Sequence, residues 1–240
     1  MNIAIITAGG TGQRMHSKTL PKQFLIVHGR PIIVHTVSKF QDSPLIDGII
    51  VVCLEQYIPD MKAILGEHHL TKVSAVVPGG ETGQLSIYNG LIKAKEIYGE
   101  DGNVVLIHDG VRPLINEDVI EENIDCVNRY GGAVTISYIG ETVLKQDEQQ
   151  DVAVVFQKNE CYLGRAPQSF RLKDILLAHK KAKDEGMASF IDSVSLMKHF
   201  GFDAHCVIGP SENIKITNPM DFFLFKAILD SKEDEQINVL

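Results

Sequence analysis

The sequence has no long uninterrupted hydrophobic run, and this absence argues against a membrane-spanning helix. A transmembrane helix requires about 20 consecutive apolar residues. One of the longest apolar segments, residues 46–54, is much shorter and is interrupted by Asp47 and Gly48. A signal peptide requires a basic leader before a longer apolar region, and the first ten residues contain neither. We therefore expect a cytoplasmic protein without membrane insertion.

Closely spaced cysteines and an excess of basic residues are also missing. The chain has four cysteines and no Cys-x-x-Cys pair, which argues against a zinc site or a disulfide framework and indicates reduced thiols. The formal net charge of −8 argues against a general nucleic-acid-binding protein, because that function requires a basic surface. With 44% hydrophobic and 22% charged residues, the composition is that of a globular protein.

Short apolar segments rich in β-branched residues alternate with segments of helical pattern. The predicted strands are 2–7, 48–54, 73–77, 103–107 and 133–136, and the predicted helices are 31–41, 57–66, 82–98 and 116–130. This alternation predicts an α/β fold with a mostly parallel, Rossmann-like sheet between layers of helices. Residues 137–158 contain a polar turn between strand-like flanks, which predicts a protruding hairpin arm, although a simple surface loop is the alternative. We expect one domain, residues 1–240.

A glycine-rich segment follows the first predicted strand directly. Gly9, Gly10 and Gly12 allow backbone N–H groups to approach phosphate oxygens, at the strand end where open α/β sheets bind ligands. Arg14 and Lys22 add positive charge to the same segment. Neither the dinucleotide pattern G-x-G-x-x-G nor the P-loop pattern is met. The segment therefore predicts a phosphate site of another kind.

Three further motifs have both a chemical and a purely structural interpretation. Asp109 ends a predicted strand and suits Mg²⁺ bound with nucleotide phosphates, or it pairs with Arg112 to brace a turn. Gly80 and Ser86 lie in a loop that suits a base edge, or they belong to an ordinary strand-to-helix connection. Lys215 precedes a predicted helix start at 217–219, where anions are attracted, or it is a solvated lysine.

Together these residues resemble the glycosyltransferase-A-like nucleotidyltransferases. In particular they resemble the cytidylyltransferases that act on 2-C-methyl-D-erythritol 4-phosphate or ribitol 5-phosphate. The motifs that carry the resemblance are Ala8-Gly9-Gly10-x-Gly12-x-Arg14-Met15, Pro21-Lys22-Gln23, His108-Asp109-x-x-Arg112-Pro113, Pro167-Gln168-x-Phe170 and Asn213-Ile214-Lys215-x-Thr217. The likeness extends over residues 2–229.

The resemblance implies attack by a polyol phosphate on the α-phosphorus of CTP, with release of pyrophosphate. It assigns the charge-stabilising catalytic role to Arg14, Lys22 and Lys215, and Mg²⁺ to Asp109. The implied nucleotide contacts are Ala8, Gly9, Gly10, Gly12, Gly80, Ser86 and Asp109. The implied acceptor contacts are Arg112, Thr142 and Lys158. The family also implies a homodimer in which each hairpin arm, carrying Thr142 and Lys158, completes the partner's acceptor site.

Three positions depart from the family pattern and leave the acceptor open. Gly83 and Lys158 stand where the family usually has arginine, and Ala166 stands where the methylerythritol enzymes have threonine. Segments 20–24, 31–36 and 164–170 favour the ribitol branch, and so CDP-ribitol for a surface polysaccharide. The alternatives are the methylerythritol enzyme of isoprenoid precursor synthesis, a catalytically silent nucleotide-binding module, and a sugar-1-phosphate nucleotidyltransferase with another base.

Overall fold

The computed structural model describes residues 1–10, 21–187 and 189–237, and side chains as far as residue 232. The strands are β1 (Asn2–Ala8), β2 (Ile26–Val27), β3 (Arg30–Pro31), β4 (Gly48–Cys53), β5 (Val73–Pro78), β6 (Val104–Asp109), β7 (Gly132–Tyr138), β8 (Leu144–Gln146), β9 (Val152–Val155), β10 (Tyr162–Arg171) and β11 (His205–Ile208). The helices are α1 (Ile32–Asp42), α2 (Ile58–Glu67), α3 (Gly83–Tyr98), α4 (Glu117–Tyr130), α5 (Leu172–Asp184), α6 (Ser193–His199) and α7 (Pro219–Ile237). No helix in these ranges is long and apolar enough to cross a bilayer.

Within the described ranges, seven strands form the central sheet in the order β11-β7-β10-β6-β1-β4-β5. The pairs β1–β4, β1–β6, β4–β5 and β7–β11 are parallel, whereas β10 is antiparallel to both of its neighbours. The predicted α/β fold with a mostly parallel sheet is therefore confirmed. The pattern of the sequence did not predict β10 as the antiparallel strand near the centre.

Alternate side chains of β1 point into two different cores, because successive residues of a strand face opposite sides of the sheet. Ala4 and Ile6 pack with α1, α2 and α4, whereas Ile3 and Ile5 pack with α3, α5 and α6. A smaller third cluster holds α7 against the rest through Phe225. Both faces of the sheet are covered, which explains why its strands are almost continuously apolar.

Side chains cap two helix starts next to the sheet. The Thr82 hydroxyl accepts a hydrogen bond from the Leu85 N–H at the start of α3, at 3.1 Å. The Asn116 side chain accepts one from the Val119 N–H at the start of α4, at 3.2 Å. These caps satisfy N–H groups that the first helical turn leaves unpaired.

The hairpin arm lies outside the central sheet. Strands β8 and β9 form a separate antiparallel pair, and every residue of both is exposed. The arm comprises residues 139–161, slightly later than predicted, because Ser137 and Tyr138 still pair with Leu163 and Tyr162 in the central sheet. The predicted hairpin is therefore present.

Gly90 allows α3 to pack tightly on the sheet. A Cβ atom at this position would lie 2.7 Å from Ile5 Cγ2 and 2.8 Å from Val52 Cγ2. We expect Gly90→Ala to lower the free energy of unfolding by ~1–3 kcal/mol, measured by urea denaturation. Gly66 in α2 has nothing within 4 Å of its Cβ position, so Gly66→Ala serves as the control and should raise stability by ~0.5–1 kcal/mol. Equal effects of the two substitutions would contradict the packing argument.

Candidate active site

A cleft of about 620 Å³ opens at the carboxyl ends of β1 and β6. Its walls come from the end of β1, the loop that precedes α3, the end of β6, the middle of β10 and the segment that precedes α6. A hydrogen bond of 2.8 Å from the Gly110 N–H to the Thr7 carbonyl joins the two central strand ends. This is the sheet edge at which open α/β folds bind their ligands.

Most of the predicted site residues line this cleft. They are Ala8, Gly9, Gly10, Lys22, Gly80, Ser86, Asp109, Arg112 and Lys215. Thr142 and Lys158 do not line it, since both are exposed on the hairpin arm, and the prediction assigns them to the site of a partner subunit. The predictions for Gly12 and Arg14 lie outside the described residues.

Lys22 is held in the cleft by a short 3₁₀ turn, Lys22–Phe24, that begins after Pro21. The neighbouring Gln23 is buried, and its amide nitrogen donates to the Ala8 carbonyl at 2.8 Å, which fastens the turn to the end of β1. A Cβ atom on Gly10 would lie 3.9 Å from Lys22 Cε. Gly10 and the Lys22 side chain therefore lie close together in the cleft.

Asp109 is the centre of a cluster of charges. Arg112 Nε donates to Asp109 Oδ2 at 2.8 Å, and Lys215 Nζ donates to Asp109 Oδ1 at 2.7 Å. Burial by itself would raise the pKa of Asp109, but the charges and hydrogen bonds of Lys215 and Arg112 outweigh it and lower the pKa to about 2. The carboxylate is therefore ionised at neutral pH, and the three side chains together carry one net positive charge.

Arg112 connects this cluster to the segment that carries Lys215. The side chain is buried, and its Nη1 donates to the Asn213 carbonyl at 2.9 Å. The Asn213 amide in turn donates to the Ala166 carbonyl at 2.7 Å. Two donors of the guanidinium are therefore committed to Asp109 and to the segment that carries Lys215, which gives Arg112 an ordering role whether or not it also contacts the acceptor.

Ser86 orders the glycine loop that precedes α3. Its hydroxyl accepts a hydrogen bond from the Gly80 N–H at 3.0 Å and donates one to the Thr82 carbonyl at 2.9 Å. A Cβ atom on Gly79 would lie 2.9 Å from Ser86 Oγ, and one on Gly80 would lie 2.5 Å from Leu85 Cβ. Close packing therefore requires both glycines, and the loop presents backbone groups to the cleft.

A family model for IspD, 2-C-methyl-D-erythritol 4-phosphate cytidylyltransferase, matches residues 2–231. The chain belongs to this family. The resemblance inferred from the motifs is thereby confirmed. A protein of Vibrio parahaemolyticus named ribitol-5-phosphate cytidylyltransferase is 47% identical over 99% of both chains. A protein of Clostridium botulinum named 2-C-methyl-D-erythritol 4-phosphate cytidylyltransferase is 35% identical over 95% of this chain and 97% of its own.

A solved structure supports the same assignment. The crystal structure of 4-diphosphocytidyl-2C-methyl-D-erythritol synthase from Anaerococcus prevotii superimposes with a TM-score of 0.82 and 28% identity. The superposition covers 96% of each chain. The fold of this cytidylyltransferase family member is therefore shared over nearly its whole length.

Sequence analysis missed the network that holds the cleft wall formed by β10 and the segment that precedes α6. The Gln168 amide donates to Asp192 Oδ2 at 2.9 Å and accepts from the Val194 N–H at 2.9 Å, while Asp192 also caps α6. Gln84 bonds to the Met187 carbonyl and to the Phe190 N–H, which ties the same wall to the start of α3. Gln168 lies in the Pro167-Gln168-x-Phe170 motif, and Asp192 has only the local signal of a helix cap. The contacts that Gln84 and Gln168 make across the cleft wall could not be predicted, because their partners are distant in sequence.

The residues present fit a magnesium ion bound together with the nucleotide. No group of three or more His, Cys, Asp and Glu side chains within the described ranges could enclose a metal ion. Mg²⁺, however, is commonly held by one or two carboxylates together with substrate phosphates and water. The ionised Asp109 carboxylate in the cleft would supply one such ligand.

His108 and His179 are both buried and both neutral at pH 7. Burial lowers the pKa of each to about 4, and His108 Nε2 lies 3.0 Å from the Arg112 carbonyl, to which it donates. His179 stacks on Tyr88 beside the cleft. These contacts give the two rings a structural role in this family member.

The two buried histidines predict acid sensitivity. Because their pKa values are lower in the folded chain, the unfolded chain binds more protons, so stability present above pH ~6.5 is lost as the pH falls towards ~4. Each histidine contributes a slope of up to ~1.4 kcal/mol per pH unit. We expect His179→Phe to reduce the loss of unfolding free energy between pH 7.5 and 5 in urea titrations. The exposed His69→Asn is the control, and an unchanged slope in His179→Phe would refute the assignment.

Proposed function

We propose that the protein transfers CMP from CTP to D-ribitol 5-phosphate, giving CDP-ribitol and pyrophosphate. The convergence of Lys22, Lys215 and ionised Asp109 in one cleft supports the reaction type. The ribitol acceptor is supported by identity, because relatives named for ribitol 5-phosphate reach 47–48%, whereas those named for methylerythritol phosphate reach 34–36%. We place the reaction in the cytoplasm and its product in surface polysaccharide synthesis.

The proposed reaction is a direct substitution at phosphorus. An oxygen of the acceptor phosphate attacks the α-phosphorus of CTP, the bond from that phosphorus to the bridging oxygen of the β-phosphate breaks, and pyrophosphate leaves with the electron pair. Lys22 and Lys215, with Arg14 from the glycine-rich segment, stabilise the negative charge that accumulates on the phosphates. Such chemistry depends on positioning and electrostatics rather than on proton transfer.

We assign Asp109 as the protein ligand of Mg²⁺. When bound, the metal neutralises phosphate charge and orients the nucleotide. Lys215 donates to Asp109 Oδ1, so its ammonium group lies beside the carboxylate that would hold the metal. Arg112 donates to Asp109 Oδ2 and would keep this carboxylate in place.

We also propose a homodimer formed through the hairpin arms. The arm exposes several apolar side chains in the single chain, among them Val152 (61% exposed) and Val155 (60%), as well as Leu144 and Phe156. Leu144 and Val155 are cross-strand neighbours, and a concentration of exposed apolar side chains on one arm supports an interaction site there. In the dimer, Thr142 and Lys158 would complete the acceptor site of the partner subunit. Lys158 offers a point charge there rather than the bidentate fork of the family's arginine.

Pyrophosphate release tests the reaction and its acceptor. The purified protein is incubated with Mg²⁺ and CTP and with ribitol 5-phosphate, methylerythritol 4-phosphate or no acceptor, and UTP replaces CTP in a parallel series. Release with CTP and ribitol 5-phosphate alone supports the proposal. Release with methylerythritol phosphate as the only active acceptor would assign the protein to the methylerythritol branch of the family. CTP binding without release, across a panel of polyol phosphates, would favour the catalytically silent module.

Acidic substitutions on the hairpin arm test whether the protein forms a dimer through it. Val152→Asp with Val155→Asp should convert the dimer into a monomer in sedimentation velocity, and acceptor turnover should be lost while CTP binding is kept. Leu177→Asp is the matched control, because Leu177 is exposed on α5, away from the arm. A wild-type monomer with full activity would contradict the shared acceptor site.

A further inference from the structure

Arg165 lies in the cleft at a point where strand pairing is interrupted. Strand β10 pairs regularly with β7 up to Gly164 and again from Gln168, with a shift of register between them. Such bulges turn side chains away from the regular alternation of a strand and are common beside active sites. Arg165 is half-buried and lines the cleft.

The side chain of Arg165 is held at one end only. Its Nε donates to the hydroxyl of Ser137 at 2.9 Å, and Ser137 is itself buried at the end of β7. The two terminal nitrogens, Nη1 and Nη2, make no hydrogen bond within ranges 1–10, 21–187 and 189–232, and no carboxylate there pairs with them. The guanidinium is therefore fixed in direction while its bidentate edge stays available.

The charge of Arg165 has no counter-ion among those residues, although the group is partly desolvated. Burial, and secondarily the charge of Arg112, lowers the pKa of Arg165 from its ordinary value. Asp109 already neutralises Arg112 and Lys215 in part. A second guanidinium close to Arg112, in the same cleft and without a carboxylate, favours an anionic ligand between them.

The position of Arg165 in the sheet indicates which anion this is. The glycine loop follows β5, and Ser86, in the first turn of the adjoining α3, places its Oγ 4.0 Å from a Cβ atom on Gly9. Arg165 lies on β10, on the other side of Asp109 and β6. The nucleotide loop and Arg165 therefore flank the reacting centre from opposite sides, and Arg165 belongs to the acceptor half.

We propose that Arg165 binds the phosphate of the acceptor, donating Nη1 and Nη2 to two of its non-reacting oxygens, with Ser137 as its positioning residue. This inference rests on the proposed function and deepens it. A bidentate contact would orient the third oxygen for attack and would offset the repulsion between the two anionic substrates. It would also be supplied by the chain's own cleft, unlike the contacts assigned to the partner's arm.

Steady-state kinetics with each substrate varied separately tests the proposal. We expect Arg165→Leu to lower kcat/KM for ribitol 5-phosphate about 10- to 100-fold, the range for charge-assisted hydrogen bonds, while KM for CTP changes less than about threefold. Arg165→Lys should restore only part of the loss, and Ser137→Ala should raise the acceptor KM severalfold. Arg171→Leu, on the same strand but exposed and outside the cleft, is the control.

Inorganic phosphate serves as the probe for the phosphate contact. It should inhibit the wild type competitively against the acceptor, and this inhibition should weaken in Arg165→Leu. Unchanged inhibition alongside a raised acceptor KM would overturn the proposal by assigning Arg165 to the polyol hydroxyls. An equal rise in the KM for CTP would also overturn it. If thermal denaturation shows that Arg165→Leu does not fold, Arg165→Lys and Ser137→Ala test the phosphate contact in the same assays.

Failure of the proposed function is distinguishable from failure of this inference. If the wild type reacts with another alditol phosphate instead of ribitol 5-phosphate, the acceptor assignment is wrong but the phosphate contact is tested unchanged on that substrate. If the wild type reacts with ribitol 5-phosphate and Arg165→Leu matches Arg171→Leu, the inference alone is wrong.

Discussion

Lys22→Ala is expected to lower kcat by about 10²–10³ while leaving the fold intact, the loss seen when one preorganised charge-stabilising group is removed. Lys22 is only 8% exposed, and its turn is fastened to the end of β1 through Gln23. The Lys22 side chain is therefore already held in the cleft, and we expect it to stabilise the phosphates without a change in conformation. The loss should appear in kcat more than in the KM for CTP, because charge on the phosphates is greatest in the transition state.

The control for this experiment is Lys39→Ala, which removes an exposed lysine on α1 with the same change in net charge. Pyrophosphate release should be measured for both variants at saturating substrates, with circular dichroism to confirm folding. Near-normal turnover in Lys22→Ala would remove this residue from the mechanism. A matching loss in Lys39→Ala would show that net charge, rather than position, is responsible.

Asp109→Asn is expected to lower kcat by about 10²–10³ and to weaken the dependence of activity on Mg²⁺. Asparagine keeps the shape of the side chain but removes the charge that binds Lys215 and Arg112 at 2.7 and 2.8 Å. The metal would lose its charged protein ligand, and Lys215 would lose its anchor. Both effects act on the reacting phosphates, so we expect this to be among the most damaging single changes in the cleft.

Magnesium titrations of activity separate these two effects. A shift of the Mg²⁺ midpoint to higher concentration in Asp109→Asn supports the metal assignment, whereas a lower kcat at an unchanged midpoint assigns Asp109 to positioning Lys215 alone. Asp101→Asn is the control, since Asp101 forms an exposed ion pair with Lys173 and does not line the cleft. Full activity of Asp109→Asn would contradict both roles.

Local features of the fold could be predicted because their causes are local. The helix that begins at Glu117 follows an asparagine cap and ends at Gly131, whose φ of 90° suits glycine. The strand Asn2–Ala8 is almost continuously apolar because helices cover both faces of the sheet. The antiparallel position of β10 could not be predicted in this way, since no short-range pattern specifies which distant strand pairs with it.

The candidate site likewise has local features that the sequence predicts and long-range contacts that it does not. The sequence by itself predicts a phosphate site around Gly9 and Gly10, because glycines directly after a strand allow backbone N–H groups to approach an anion. It also determined the family, through motifs that are each contiguous. Only the tertiary structure decided that Lys215 meets Asp109 across 106 residues and that Arg165 meets Ser137 across 28. Contacts of this kind depend on how the strands pack side by side, which is set by burial of the whole core rather than by neighbouring residues.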